Sequence, residues 1–192
     1  MKTLKSILLA IMATFALTSC TYNKLVEEEE TVNQKWADVQ TQYQRRADLI
    51  PNLVNTVKGY AAHESETLEA VVAARTKATQ ITIDPANATP EQIAAFQEAQ
   101  GEISQALGRL MVADENYPEL KASQAWQEVR AQLEGTENRI TVERQKFNER
   151  AQEYNQYIRM FPRNIIANMF DFEKVGYFKA QAGAETAPKV EF

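Results

Sequence analysis

The chain has 192 residues and carries a formal net charge of −5. That length accommodates one core with a short appendage, which excludes a modular multidomain protein. Only 6 Gly and 6 Pro punctuate a chain that is 44% hydrophobic and 24% charged, a composition suited to long helices and not to many short strands. A single His, a single Cys and an acidic balance argue against most metal sites, an intramolecular disulfide and a broadly basic nucleic-acid surface.

The first twenty residues are compositionally separate. Lys2 and Lys5 make a basic start, Ile7 to Leu17 is an apolar run, and small or polar residues follow. As a helix that run reaches only about 16 Å, against the ~30 Å of hydrocarbon that a spanning helix crosses. The ending Leu17-Thr18-Ser19-Cys20 is similar to a bacterial lipobox, in which the Cys is acylated and becomes the mature N-terminus. The expected division is therefore a lipoprotein signal over 1–19, a helical domain over 20–179 and a short polar tail over 180–192. Loss of Lys2 and Lys5 with the signal leaves the mature part more acidic, which disfavours non-specific adhesion to anionic lipid or nucleic acid.

From Leu25 the apolar residues recur in steps of three and four: Val32, Trp36, Val39, Tyr43, Ala47, Ile50, Val54, Val57, Ala61, Leu68 and Val71. This marks one face of a helix. Pro51 interrupts it without shifting the register, so a kink is expected there and not a turn. Ile81 to Thr89 reads as a loop. Thr89-Pro90-Glu91-Gln92 then supplies a cap, a Pro at the first helical position and a capping box. The second helix shows Ile93, Phe96, Ile103, Leu107 and Leu110, with Gly101 and Gly108 as expected points of close approach. Asp114 to Pro118 ends it.

A third long helix from Glu119 shows Trp126, Val129, Leu133, Thr136, Ile140, Arg144, Phe147, Ala151, Tyr154 and Ile158. Phe161-Pro162-Arg163-Asn164 stops it, and Ile165 to Phe170 is expected to form a short helix. Long striped helices joined by short loops predict an all-α, up-and-down bundle with coiled-coil-like seams, preceded by the signal or anchor segment.

Ordered blocks then carry a family resemblance. They are Tyr22-Asn23-Lys24-Leu25-Val26, Arg45-Arg46-Ala47-Asp48-Leu49-Ile50-Pro51-Asn52-Leu53-Val54, Val57-Lys58-Gly59-Tyr60 with His63-Glu64, and Tyr117-Pro118-Glu119-Leu120-Lys121. Glu134-Gly135-Thr136-Glu137-Asn138-Arg139-Ile140, Tyr154-Asn155, Phe161-Pro162-Arg163-Asn164-Ile165-Ile166-Ala167 and Lys189-Val190-Glu191-Phe192 continue them. Together they resemble the LemA family over nearly the whole mature chain. The resemblance implies a four-helix bundle tethered to a bacterial membrane by its N-terminus, with no established catalytic activity and suspected accessory work beside membrane proteases and in envelope maintenance. The chain departs from the commoner family pattern, in which a longer apolar N-terminal segment is retained as a transmembrane helix.

Catalytic and metal motifs fail on inspection. His63-Glu64-Ser65-Glu66-Thr67 begins like a zinc-protease signature, but Thr67 stands where the second His is required. There is no Gly-x-Ser-x-Gly elbow, no phosphate-binding Gly-rich loop and no dinucleotide fingerprint. Neither an enzyme, a cofactor nor a metal is expected. Glu27 to Glu30 is expected to be a solvated face favoured by the helix dipole, calcium being a weak alternative.

The candidate contact residues are Arg45, Arg46, Asp48 and Asn52 around the interrupted helix, with Glu137 and Asn138 on the third helix. Carbonyls freed by Pro51 need donors, which Arg45 or Arg46 is expected to supply, unless they pair with Glu137 and Glu143. Asn138, Asn148 and Asn155 are expected to set register between helices. Phe161, Phe170, Phe172, Tyr177, Phe178 and Phe192 are expected to cap one end of the bundle or to dock a partner.

The expected protein is a non-enzymatic scaffold or adaptor, anchored through Cys20 on the extracytoplasmic side of the membrane, periplasm-facing, with other envelope proteins as partners. The alternative is a small-ligand or lipid-binding module with a cleft near Pro51.

Overall fold

The structure is a computed structural model that describes residues 2–60, 65–83 and 88–180, residues 2–18 through their backbone alone. His63, the tail beyond Ala180 and Phe192 lie outside the described residues. Helix α1 runs Lys2–Lys58, α2 Ser65–Thr79, α3 Pro90–Ala113, α4 Pro118–Ala122, α5 Gln124–Tyr157 and α6 Arg163–Met169, with a 3-10 turn at Asp114–Asn116. Among the described residues no helix is long and apolar enough to cross a membrane.

The architecture is an all-α, up-down-up-down bundle of α1, α2, α3 and α5. The three-four stripe of α1 faces the core, since Val32, Trp36, Val39, Tyr43, Ala47, Ile50, Val54 and Val57 are all buried. The stripe does not continue on the same helix to Leu68 and Val71. Helix α1 ends at Lys58, where Tyr60 N–H bonds the Val57 carbonyl at 3.0 Å. Leu68 and Val71 then return to the same core cluster from α2, which is why the pattern resembled one helix. The third helix is likewise divided, with a break at Ser123 between α4 and α5.

Helix α1 is continuous through Pro51, so there is no chain reversal there. Proline lacks the N–H that the Ala47 carbonyl would accept in an ordinary helix. Arg75 of α2 replaces that donor, its Nε lying 2.8 Å from the Ala47 carbonyl. Neither Arg45 nor Arg46 does so; Arg46 follows the other expected course and pairs with Glu137. The start of α3 is as its sequence specifies: the Thr89 side chain accepts from Gln92 N–H, and the Gln92 side chain accepts from Thr89 N–H.

Apolar side chains gather into two clusters stacked along the bundle. One contains Ile50, Leu53, Val57, Leu68, Val71, Ile103, Leu107, Leu110, Trp126 and Leu133. The other contains Leu25, Trp36, Val39, Tyr43, Phe96, Ile140, Phe147, Tyr154 and Phe178. Arg46 on α1, Gln100 on α3 and Thr136 on α5 are buried at the level where the clusters meet.

After α6 the chain reverses at Asp171, whose φ of 57° is in the left-handed region. Phe172 N–H reaches back to the Ala167 carbonyl at 2.9 Å, closing the helix end with a Schellman-type bond. Residues 172–180 then run along the bundle as a strap that is neither helix nor strand.

Candidate functional site

Helix α1 packs along α5, and α2 packs along α3, whereas α3 and α5 stand apart. The facing residues explain the gap. Helix α3 presents Gln97, Gly101, Ser104 and Gly108, while α5 presents Glu134, Glu137, Thr141, Arg144 and Asn148. Leu107, Met111, Leu133 and Ile140 also line the seam, but the small and polar side chains between them offer little apolar interlock to close it. The result is an open groove of ≈ 1860 Å³ with α1 as its floor. A Cβ added at Gly101 or Gly108 would meet no heavy atom within 4 Å, so these glycines widen the groove and are not points of close helix approach.

The strap occupies one end of this groove and is held by side-chain amides. Asn155 donates to the Val175 carbonyl at 2.7 Å and accepts from Val175 N–H at 2.9 Å. Asn148 treats Phe178 in the same way, at 2.8 and 2.9 Å. From the opposite wall Gln97 does so for Lys179, again at 2.8 and 2.9 Å. Each amide offers a donor and an acceptor to the strap backbone, as a neighbouring β-strand would, and Asn155 in addition donates to the Tyr177 hydroxyl at 2.8 Å. Asn148 and Asn155 thus clasp the strap instead of setting helix register. Arg144 adds a bond to the Lys179 carbonyl at 2.8 Å and lies over the Phe178 ring at 4.8 Å.

Phe178 anchors the strap in the core, stacked on Trp36 at 5.7 Å and edge-on to Phe147 at 5.5 Å. Gly176 permits this path, because a Cβ there would lie 2.6 Å from Pro90 Cα. The aromatic set therefore divides. Phe178 is core, Phe172 is half-buried, and Phe161, Phe170 and Tyr177 are exposed.

Beyond Ala180 the groove continues over Arg46. The Arg46 side chain is 1% exposed, yet its guanidinium is well supplied with acceptors. One terminal nitrogen donates to Glu137 Oε1 at 2.6 Å and to Ser104 Oγ at 2.8 Å. The other donates to the Gln100 carbonyl at 2.9 Å and to Gln100 Oε1 at 2.6 Å. Its Nε has no acceptor. The ring of Tyr43 lies 5.1 Å below, its phenol pushed up from the ordinary value by burial, with Arg144 and Arg46 acting in the opposite direction. Tyr43 is consequently a neutral hydroxyl at the floor of the groove at physiological pH.

The other sequence candidates are dispersed. Arg45, Asp48 and Asn52 are exposed on α1, and Asp48 accepts from Gln44 Nε2 at 2.7 Å. Asn138 sits exposed on the groove lip. Glu143 pairs with Lys146 at 2.9 Å and not with Arg46. Pro51 is exposed and is not among the residues lining this groove. Cys20 is exposed with a free thiol. Sequence reasoning missed Gln97, Gln100, Ser104 and Arg75. Gln100 had a visible signal, since it interrupts the apolar spacing Phe96, Ile103, Leu107 at a seam position.

The LemA family model matches residues 35–192, a span that takes in the groove, the Arg46 layer and the strap. The chain belongs to the LemA family. Magnetosome protein MamQ 2 of Paramagnetospirillum magneticum is 27% identical, over 93% of this chain and 72% of its own length. Magnetosome protein MamQ of Magnetospirillum gryphiswaldense is 26% identical over the same shares. Protein LemA of Metamycoplasma hominis is 25% identical, over 82% of this chain and 68% of its own.

Among the described residues of this LemA-family chain, no three His, Cys, Asp or Glu side chains stand close enough together to hold a metal ion. The groove instead concentrates hydrogen-bonding groups at positions suited to an extended backbone.

Proposed function

We propose that the chain is a non-enzymatic, membrane-anchored adaptor of the bacterial envelope, and that the α3–α5 groove holds an extended segment of a client protein. The observation that carries this reading is the paired recognition of Val175, Phe178 and Lys179 by Asn155, Asn148 and Gln97 in the same groove. A surface that already accepts one segment through backbone bonds is suited to another, as in strand-addition recognition.

The anchor in this reading is an acylated Cys20 on the extracytoplasmic side. It is supported by the lipobox-like ending of the apolar run and by the exposure of Cys20. A small-ligand reading gains nothing from the Pro51 side, where the freed carbonyl is already taken by Arg75.

Mild crosslinking in intact cells followed by mass spectrometry separates the two. An adaptor retains defined envelope proteins. A ligand binder instead retains none and shows a thermal shift with envelope extracts. For the anchor, Cys20→Ala should leave the membrane fraction; retention there, with no acyl label on the wild type, contradicts it.

A further inference from the structure

We infer that the apolar end face formed by Met160, Phe161, Ile165, Met169 and Phe170 seats in the membrane interface beside the N-terminal anchor, fixing the orientation of the bundle. The inference rests on the membrane-anchored reading and adds a second contact to it.

These residues lie within one turn and one short helix, and all are exposed: Phe161 81%, Met169 66%, Ile165 53%, Phe170 48% and Met160 43%. Helix α6 packs on α1 through buried Ala167 and leaves its opposite side apolar. A solvated seven-residue helix has no need of that side, and such a concentration of large apolar groups marks an interaction surface.

Its position indicates the occupant. Phe170 packs on Tyr22 with ring centroids 4.8 Å apart, and Phe172 on the same ring at 5.9 Å. Tyr22 stands two residues after Cys20, the acylation site of the proposed anchor. The exposed face and the anchor therefore emerge at the same end of the bundle. Arg159 and Arg163 border the face, the Arg163 guanidinium lying 4.1 Å from the Tyr157 ring centroid. Large aromatic and aliphatic groups bordered by Arg159, Arg163 and Lys174, with Asp171 and Glu173 alongside, are the chemistry of a bilayer interface, where the cations meet the headgroup phosphates. The acidic residues Glu27 to Glu30 begin about 7.5 Å beyond Tyr22 along α1, on the side away from the anchor. By the same rise, Arg46 is held about 36 Å above Tyr22, which sets the height of the groove over the surface.

The test uses the mature protein, acylated at Cys20 and extracted from membranes, reconstituted into vesicles of phosphatidylethanolamine and phosphatidylglycerol, 3:1, with brominated acyl chains. Phe161→Trp places a reporter on the face, and Val112→Trp places one on an exposed site at the far end of the bundle. The native Trp36 and Trp126 are 0% and 1% exposed and give a constant background. The expected result is a blue shift and at least twofold quenching of the reporter at 161, with no change at 112. Adding Ile165→Asp and Met169→Asp should abolish the quenching at 161 while the protein stays vesicle-bound. A vesicle-bound protein whose reporter at 161 is unquenched overturns this inference and leaves the anchor standing. A chain that fails to associate with the vesicles overturns both.

Discussion

Arg75 completes the hydrogen bonding that Pro51 leaves undone, its Nε 2.8 Å from the Ala47 carbonyl. The two residues are on different helices, so a defect in α1 is converted into a tie between α1 and α2. Arg75→Ala should cost about 1–3 kcal/mol by stranding a buried acceptor. In a Pro51→Ala background, where the helix N–H is restored, the same substitution should cost under about 1 kcal/mol. Chemical denaturation of the four proteins in this cycle measures the coupling, and equal costs in both backgrounds would contradict it.

Arg46 and Arg45 are neighbours in sequence with opposite environments. Arg46 is buried with Glu137, Gln100 and Ser104, so Arg46→Ala should lose about 3–5 kcal/mol. Arg45 is exposed, and Arg45→Ala should melt within about 0.5 kcal/mol of the wild type. Glu137→Gln should fall between them, because Arg46 keeps its other acceptors. Thermal melts of the three variants give the order.

The strap depends on the missing side chain at Gly176. Gly176→Ala drives a Cβ to within 2.6 Å of Pro90 Cα, both atoms carried by backbone. The strap should lift at a cost of about 1–3 kcal/mol. Because Phe178 stacks on Trp36, the emission of Trp36 should change and the C-terminal segment should become sensitive to protease. Unchanged emission and protection would contradict the strap's dependence on this glycine.

Glu29 supplies a pH signature. Burial, with Glu30 beside it, raises its pKa above the ordinary 4.5, opposed by its hydrogen bond with Tyr154. The folded state then binds the proton more tightly than the unfolded chain, so stability is greatest below the ordinary value and falls as pH rises through the raised one. Glu29→Gln keeps an acceptor for Tyr154 and removes the charge. It should raise the Tm at pH 7 and leave it unchanged at pH 4; a gain of the same size at both values would contradict the assignment.

The bundle was legible because burial follows a periodicity that the sequence carries locally. Thr89 and Gln92 likewise specify the start of α3 by themselves. The join between α1 and α2 was hidden because Leu68 and Val71 keep the apolar spacing after the chain has turned. Arg46 with Glu137 was readable as opposite charges on facing helices, whereas Arg75 with Ala47 was not, since the acceptor is a backbone carbonyl with no residue signature. The strap was illegible for the same reason: Asn155, Asn148 and Gln97 recognise backbone, which leaves no pattern in the segment they hold. The groove arises from apolar contacts that α3 and α5 do not make, and so has no stripe to announce it.

The central claim is that the groove beyond Ala180 receives an extended client segment. Its most direct test is a photo-crosslinking side chain placed at Gln105 or Thr141, both lining the groove, and at Val72, exposed on α2, in intact cells. The account predicts adducts to the same defined envelope proteins from positions 105 and 141, absent from position 72 and mapping to an extended segment of the client. Adducts from position 72 alone, or adducts at 105 and 141 only within this chain, would contradict it.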